Sequence, residues 1–192
     1  MTNSAAQAKV PSMTLQAFLA MPETKPASEF IDGEIIQKPM PKGRHSRLQA
    51  SLTTAINQAT EPERIALAFP ELRCAFGTRA IVPDVAVFTW ERIPFTAEGD
   101  IPDDFELAPD WVVEILSPDQ SPIRVIDNIL YALRAGCRLG WLMSPTEQSV
   151  LIFLPGQQAE VLKGDARLPV LPEMPLELTA IALFNWLSFP SL

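Results

Sequence analysis

Asp84 and Glu114 are carboxylates set into otherwise apolar runs. Asp84 follows Pro83 and opens Val85-Ala86-Val87-Phe88. Glu114 stands between Trp111-Val112-Val113 and Ile115-Leu116. Both runs read as buried strands, where a charge without a partner is costly. Two such charges on strands that can lie side by side suit a shared hard cation, Mg²⁺ or Mn²⁺. Such an ion takes oxygen ligands, keeps several waters and needs only one or two protein carboxylates. It can polarise a phosphate oxygen and lower the pKa of a bound water. A plainer reading fits the spacing equally: Asp84 caps the turn at Pro83, and Glu114 pairs with an arginine.

The other chemistry-bearing residues are few. Lys42, Arg44 and Arg47 form the tightest basic cluster, with the single histidine, His45, among them. This stretch reads either as a phosphate contact or as a solvated loop running into a helix start, and His45 either as a phosphate ligand or as a helix cap. One histidine and two isolated cysteines, Cys74 and Cys137, give no zinc cluster and no disulfide framework. No G-x-S-x-G elbow accompanies His45. The net charge of −8 argues against a strong, sequence-blind nucleic-acid binder but leaves local phosphate contacts open. No apolar run is long enough to span a membrane, and the N-terminus lacks the apolar core of a cleaved leader. A reducing cytoplasm is the expected setting.

These residues need elements to position them. At 192 residues the chain predicts one domain over 13–192, after a polar and flexible segment 1–12. Thr14 caps a short helix over Leu15–Ala20. Asp32-Gly33 lies between apolar residues, as a hairpin turn or strand entry. Leu48, Leu52, Ala55, Ile56 and Ala59 keep helical spacing over Ser46–Thr60. Short strands follow at 65–69 and 72–76, then the strand opened by Asp84. An acidic, proline-bearing surface loop over 98–109 precedes the strand carrying Glu114. Ser121 and Pro122 open the next helix, Ile123, Ile126, Ile129, Leu130 and Leu133 stripe it, and Gly136 ends it. Strands at 140–143, 150–154 and 160–162 and a helix capped by Thr179 complete the chain. The order predicts an α/β fold, a mixed sheet with helices on both faces.

The motifs together resemble a known family. Pro83-Asp84 followed by Glu114 resembles the PD-(D/E)-x-K pattern of the restriction-endonuclease-like superfamily. More closely, the chain resembles the Uma-two family of restriction-endonuclease-like proteins, over most of its length. The likeness runs through Phe30-Ile31-Asp32-Gly33-Glu34-Ile35, Arg44-His45-Ser46, Pro83-Asp84-Val85-Ala86-Val87, Val113-Glu114-Ile115-Leu116-Ser117-Pro118, and Tyr131 to Gly136 with Trp141-Leu142. The resemblance implies a restriction-endonuclease-like core and metal-dependent hydrolysis of DNA phosphodiesters. Asp84 and Glu114 would hold the ion, joined by the Ile115 carbonyl and by Glu34. A homodimer is expected by the same analogy.

One part of the pattern is missing. The motif's lysine would stand two residues after Glu114, where this chain has Leu116. In the family the lysine often migrates to the following helix, where the cation within Ser121–Val125 is Arg124. Arginine keeps its proton, so it cannot help activate water, but it can offset charge on a phosphate from a helix's first turn. If Arg124 does not serve, the chain reads as a catalytically inactive nuclease fold acting in nucleic-acid binding or assembly. A metal hydrolase with a different substrate is a third reading.

Overall fold

Continuous burial along two central strands decides the layout. In the computed structural model, which describes residues 13–118 and 120–188, β6 (Val85–Thr89) and β7 (Trp111–Ile115) are buried at every position. Such strands are covered on both faces and read as continuous apolar runs. Val85, Val87, Trp111, Val113 and Ile115 pack on one side with Leu48, Leu52 and Ile56 of α2 (Gly43–Thr60). Ala86, Phe88 and Val112 pack on the other with Val125, Ile129 and Ala132 of α3 (Pro122–Arg134). The two-residue period of a strand thus sends neighbours to opposite cores.

The other elements frame this centre. The chain begins with α1 (Leu15–Leu19), and Thr14 Oγ1 accepts the Ala17 N–H at 3.2 Å. Strands β1 (Ser28–Ile31) and β2 (Glu34–Gln37) form a hairpin. Asp32 and Gly33 turn it at positive φ, 51° and 95°, which an Asp-Gly pair favours. After α2 come β3 (Ala66–Pro70), β4 (Cys74–Phe76) and β5 (Arg79–Ile81). After α3 come β8 (Leu139–Ser144), β9 (Ser149–Phe153), β10 (Glu160–Lys163) and α4 (Ala180–Asn185). The larger sheet runs β10-β9-β8-β7-β6-β3. Within it β7 and β8 are parallel, and α3 makes the crossover between them. This is the mixed sheet flanked by helices that the sequence predicts.

Three features differ from the sequence reading. A second sheet, β2-β1-β5-β4, stands apart from the first. Its strands are three or four residues long and β5 carries the buried Arg79, so nothing marked the hairpin and the strand at 72–76 as a separate sheet. Helix α2 starts at Gly43 rather than Ser46, which brings His45 into its first turn. Finally, the acidic loop 98–109 is not wholly superficial. Phe105 is buried within it, its ring tilted against Phe69 and Phe88, and its carbonyl accepts the Ala75 N–H at 2.9 Å. The expected flexible segment 1–12 lies outside the described residues.

Gly140 shows how closely α3 rides on the sheet. A Cβ there would meet the Ile129 side chain at 2.3 Å, with Phe153 Cβ at 3.3 Å. Gly140→Ala is therefore expected to lower unfolding free energy by about 1–3 kcal/mol, the usual cost of overpacking. Urea unfolding of the variant checks this.

Candidate active site

The ladder between β6 and β7 sets the two carboxylates together. Val85 pairs with Val113 in an antiparallel register, so one step further Asp84 faces Glu114 at the sheet's end. Pro83 donates no backbone hydrogen bond and suits that strand entry. Asp84 and Glu114 are 1% and 2% exposed, so their charges need partners inside the protein.

The main partner is Lys38, which follows β2 directly. Its Nζ donates to the Val82 carbonyl at 2.6 Å and to Asp84 Oδ1 at 2.8 Å, and it lies 3.4 Å from Glu114 Oε2. Helix α2 supplies the others. His45 and Gln49 are four residues apart and therefore share a helix face. His45 Nε2 lies 2.9 Å from Asp84 Oδ2, and Gln49 Nε2 donates to the Asp84 carbonyl at 2.8 Å. The Ile115 N–H also donates to Asp84 Oδ2, at 2.7 Å. An ionised carboxylate only accepts, so His45 carries its proton on Nε2.

A third buried acid, Glu29 of β1, closes the group. Its Oε1 accepts the Val82 N–H at 2.9 Å, and its Oε2 accepts from Asn128 Nδ2 of α3 at 3.2 Å. Glu29 is close enough to Lys38 and Asp84 for their charges to act on it. The site thus draws on β1 and β2 of one sheet, β6 and β7 of the other, and both long helices.

These surroundings treat the carboxyls differently. Burial works against ionised Asp84, but the Lys38 ammonium and the His45 hydrogen bond override it and hold the carboxyl down at about 2. Glu114 has only the longer Lys38 contact, at 3.4 Å, among the described hydrogen bonds. Burial pushes it well above the usual carboxylate range, Lys38 offsets only part of that, and the Asp84 and Glu29 charges add to it. Burial also raises Glu29. For Lys38, burial opposes the charge, but Glu114, Asp84 and Glu29 outweigh it and keep the ammonium protonated. One carboxylate is firmly ionised beside one that holds its proton more tightly.

The oxygens here are those a hard divalent ion takes. Asp84 Oδ1 and Glu114 Oε2 converge on one cationic group, and Glu114 Oε1 is buried without a hydrogen-bond partner. Among the described residues, no cluster of three or more His, Cys, Asp or Glu side chains is arranged to hold a metal. An Mg²⁺ ion commonly takes only one or two protein carboxylates and fills its other positions with water. The donor set fits such an ion.

The residues named from the sequence are distributed unevenly. Asp84, Glu114, Ile115 and His45 come together, Ile115 through its N–H. Glu34 does not join them. It is exposed at the start of β2, paired across the hairpin with Ile31, and the buried upstream acid is Glu29 instead. Arg124 is exposed in the first turn of α3, and no described hydrogen bond or salt bridge links it to Asp84 or Glu114. Helix α3 reaches the site through Asn128. Arg44 donates to the Pro145 carbonyl at 2.8 Å and Arg47 to the Trp186 carbonyl at 3.1 Å. Lys42 sits at the N-cap of α2. With Arg44 and His45, Lys42 lines a cavity of about 320 Å³ that also touches Leu116 and Ser117. Sequence reasoning missed Lys38, Glu29 and Gln49.

A helix, an antiparallel β3-β6-β7 meander, a crossover helix and a parallel fourth strand, with acids at the ends of β6 and β7, make a restriction-endonuclease-like core. The chain belongs to the Uma2 family, described as "putative restriction endonuclease", whose model matches residues 15–183. It is similar to a solved structure described as a putative nuclease belonging to DUF820, from Anabaena variabilis. The two share 50% identity and a TM-score of 0.90, over 92% of this chain and 99% of that one. No curated protein matches the sequence.

Proposed function

We propose that the protein is a metal-dependent endonuclease that hydrolyses DNA phosphodiesters. The observation that supports this best is that Asp84 and Glu114 turn one oxygen each to the same point, now held by the Lys38 ammonium at 2.8 and 3.4 Å. Mg²⁺ or Mn²⁺ held by Asp84 and Glu114, with the Ile115 carbonyl as a further ligand, would supply a more acidic water and neutralise phosphate charge. The chain's own residues do the rest. His45 and the Ile115 N–H fix Oδ2 of Asp84, which leaves Oδ1, facing Lys38, as the oxygen that would take an ion. Gln49 holds the Asp84 backbone, so the carboxylate stays in place as charge around it changes. A cavity of about 310 Å³ opens over Lys38, His45, Asp84, Ser117 and Gln120 and gives a phosphodiester room to approach. In the reaction the water oxygen joins phosphorus, one P–O ester bond breaks, and the water's proton ends on the leaving oxygen.

The basic residues Lys42 and Arg44 line the neighbouring cavity of about 320 Å³ at the start of α2 and would meet flanking phosphates. Cutting both strands of a duplex needs two sites, which a homodimer would supply. Supercoiled plasmid incubated with Mn²⁺ tests the proposal. Metal-dependent nicking is expected, and failure to cleave plasmid, single-stranded DNA or RNA under any divalent ion would remove it.

The state of Glu114 gives a second test. A metal displaces the proton from its ligand, so affinity rises as pH rises through that group's pKa. Because burial raises Glu114, Mn²⁺ binding is expected to tighten from a mildly acidic to a mildly alkaline pH. Melting temperature with and without Mn²⁺ at the two pH values reads this directly, and a metal-induced shift that shrinks with rising pH would contradict it.

A further inference from the structure

The pattern's lysine position is Leu116, and the sequence points to Arg124 as its stand-in, yet neither brings a cation to the carboxylates. We propose that Lys38, delivered by the β1–β2 hairpin of the smaller sheet, is the catalytic lysine of this site and meets the scissile phosphate. The inference rests on the hydrolase reading above.

Three observations carry it. The Lys38 ammonium lies 2.8 Å from Asp84 and 3.4 Å from Glu114, against both acids, and an ion taken up by those acids would turn it outward to the phosphate. Its side chain is 12% exposed, and that exposure opens onto the cavity shared with His45, Asp84, Ser117 and Gln120. A lysine that served only to neutralise buried acids would not need that opening. Lastly, its attachment is built for position. The Val82 carbonyl receives it at 2.6 Å, and the Val82 N–H is in turn held by Glu29 at 2.9 Å. Residue 82 thus ties the β1 acid and the β2 lysine to the segment that carries Pro83 and Asp84.

The hairpin is rigid enough for the task. β1 and β2 pair along their whole length, and β1 pairs with β5 at Phe30 and Ala80. Arg79 of β5 binds Asp32 in the turn and Asp127 on α3, which fastens the hairpin to the crossover helix. Lys38 therefore arrives from a different sheet with its origin fixed. An ammonium on a flexible stem can offset negative charge that builds on a phosphate during displacement.

Four proteins are compared: wild type, Lys38→Met, Lys38→Arg and Lys38→Cys. Each is assayed for single-turnover plasmid nicking over a range of DNA concentrations and for the melting shift caused by Mn²⁺. Lys38→Met is expected to keep a Mn²⁺-induced shift, because the carboxylates remain, while its maximal rate falls about 10²–10³-fold and its half-saturating DNA concentration stays within about threefold. Lys38→Arg retains the charge and recovers part of the rate. If Lys38→Met does not fold, Lys38→Cys treated with 2-bromoethylamine rebuilds a lysine-length amine and is expected to regain at least about a tenth of wild-type rate. Cys74 and Cys137 are buried, and burial pushes both thiols up, Cys137 to about 12, so alkylation is selective for position 38. A Lys38→Met variant that nicks at wild-type rate, or an alkylated Lys38→Cys no faster than the untreated one, overturns the inference while leaving the hydrolase reading in place. A wild type that cleaves nothing overturns both.

Discussion

Asp84→Asn is expected to reduce plasmid nicking about 10³-fold or more while the protein remains folded. The loss follows from the amide's chemistry. Asp84 uses both oxygens as acceptors, Oδ1 towards Lys38 and Oδ2 towards His45 and the Ile115 N–H. An asparagine has one acceptor end and one donor end. If its oxygen serves His45 and Ile115, its NH₂ faces the Lys38 ammonium, and if it turns over, the NH₂ faces two other donors. Either orientation sets donor against donor and removes the charge that a divalent ion requires. Several kcal/mol of charge stabilisation correspond to about three powers of ten in rate. The mispaired donor is also expected to cost about 1–3 kcal/mol in stability, which leaves a folded protein at low temperature. Nicking assays paired with urea unfolding separate the two effects. A folded Asp84→Asn protein within tenfold of wild-type rate would remove Asp84 from the reaction.

How much of this was legible in the sequence follows from where each signal lay. The long helices, the buried strands and the Asp-Gly hairpin announce themselves through period and turn chemistry over several residues. Asp84 and Glu114 were visible because each interrupts an apolar run. Lys38 was not, because it follows the half-exposed β2 and precedes a proline-rich loop, where a lysine is ordinary. Its role depends on the pairing of β1 with β5 and on contacts to residues 44 and 76 positions away. Glu29 was hidden for the same reason, since β1 is four residues long. The His45–Gln49 pair was obscured by the helix boundary. Starting α2 at Ser46 leaves His45 outside the helix, and three residues more place it one turn before Gln49 on the face that meets Asp84. Arg124 was suggested by the family's habit of carrying the lysine on the following helix, but a helix's first turn can point away from the strand that precedes it.

The division of labour between the two sheets has a consequence for the active site. The larger sheet carries the acids and the helices that cover it, while the smaller sheet contributes the cation and Glu29. Neither half contains a charge-balanced site by itself. Lys38 without Asp84 and Glu114 would be a buried lone cation, and the two acids without Lys38 would repel. Docking of the hairpin and formation of the site are therefore the same event. Arg79, bound to Asp32 and Asp127 and stacked 4.3 Å from the Tyr131 ring centre, joins the Glu29–Asn128 hydrogen bond in coupling the smaller sheet to α3.

Stability of the acid-bearing sheet centres on its other core, and Trp141→Ala is expected to lower unfolding free energy by about 3–5 kcal/mol. Trp141 is fully buried on β8 and packs edge-on against Trp111 of β7, with ring centres 4.6 Å apart. Its indole N–H donates to the Pro169 carbonyl at 3.0 Å. That bond pins the irregular segment whose Leu168, Leu171 and Met174 complete the core beneath the sheet. Truncation removes the ring, the aromatic pair and the anchor of that segment together. Trp141→Phe keeps an aromatic ring and loses the hydrogen bond, so a smaller loss is expected, and the difference between the two variants in urea reports what the ring's bulk contributes. Because β7 and β8 pair with Glu114 opposite Leu142, loosening Trp141 also disturbs the strand that holds one of the two acids. At low temperature, where both variants are folded, Trp141→Phe should nick plasmid at nearly wild-type rate, whereas Trp141→Ala should lose activity by more than its unfolded fraction accounts for.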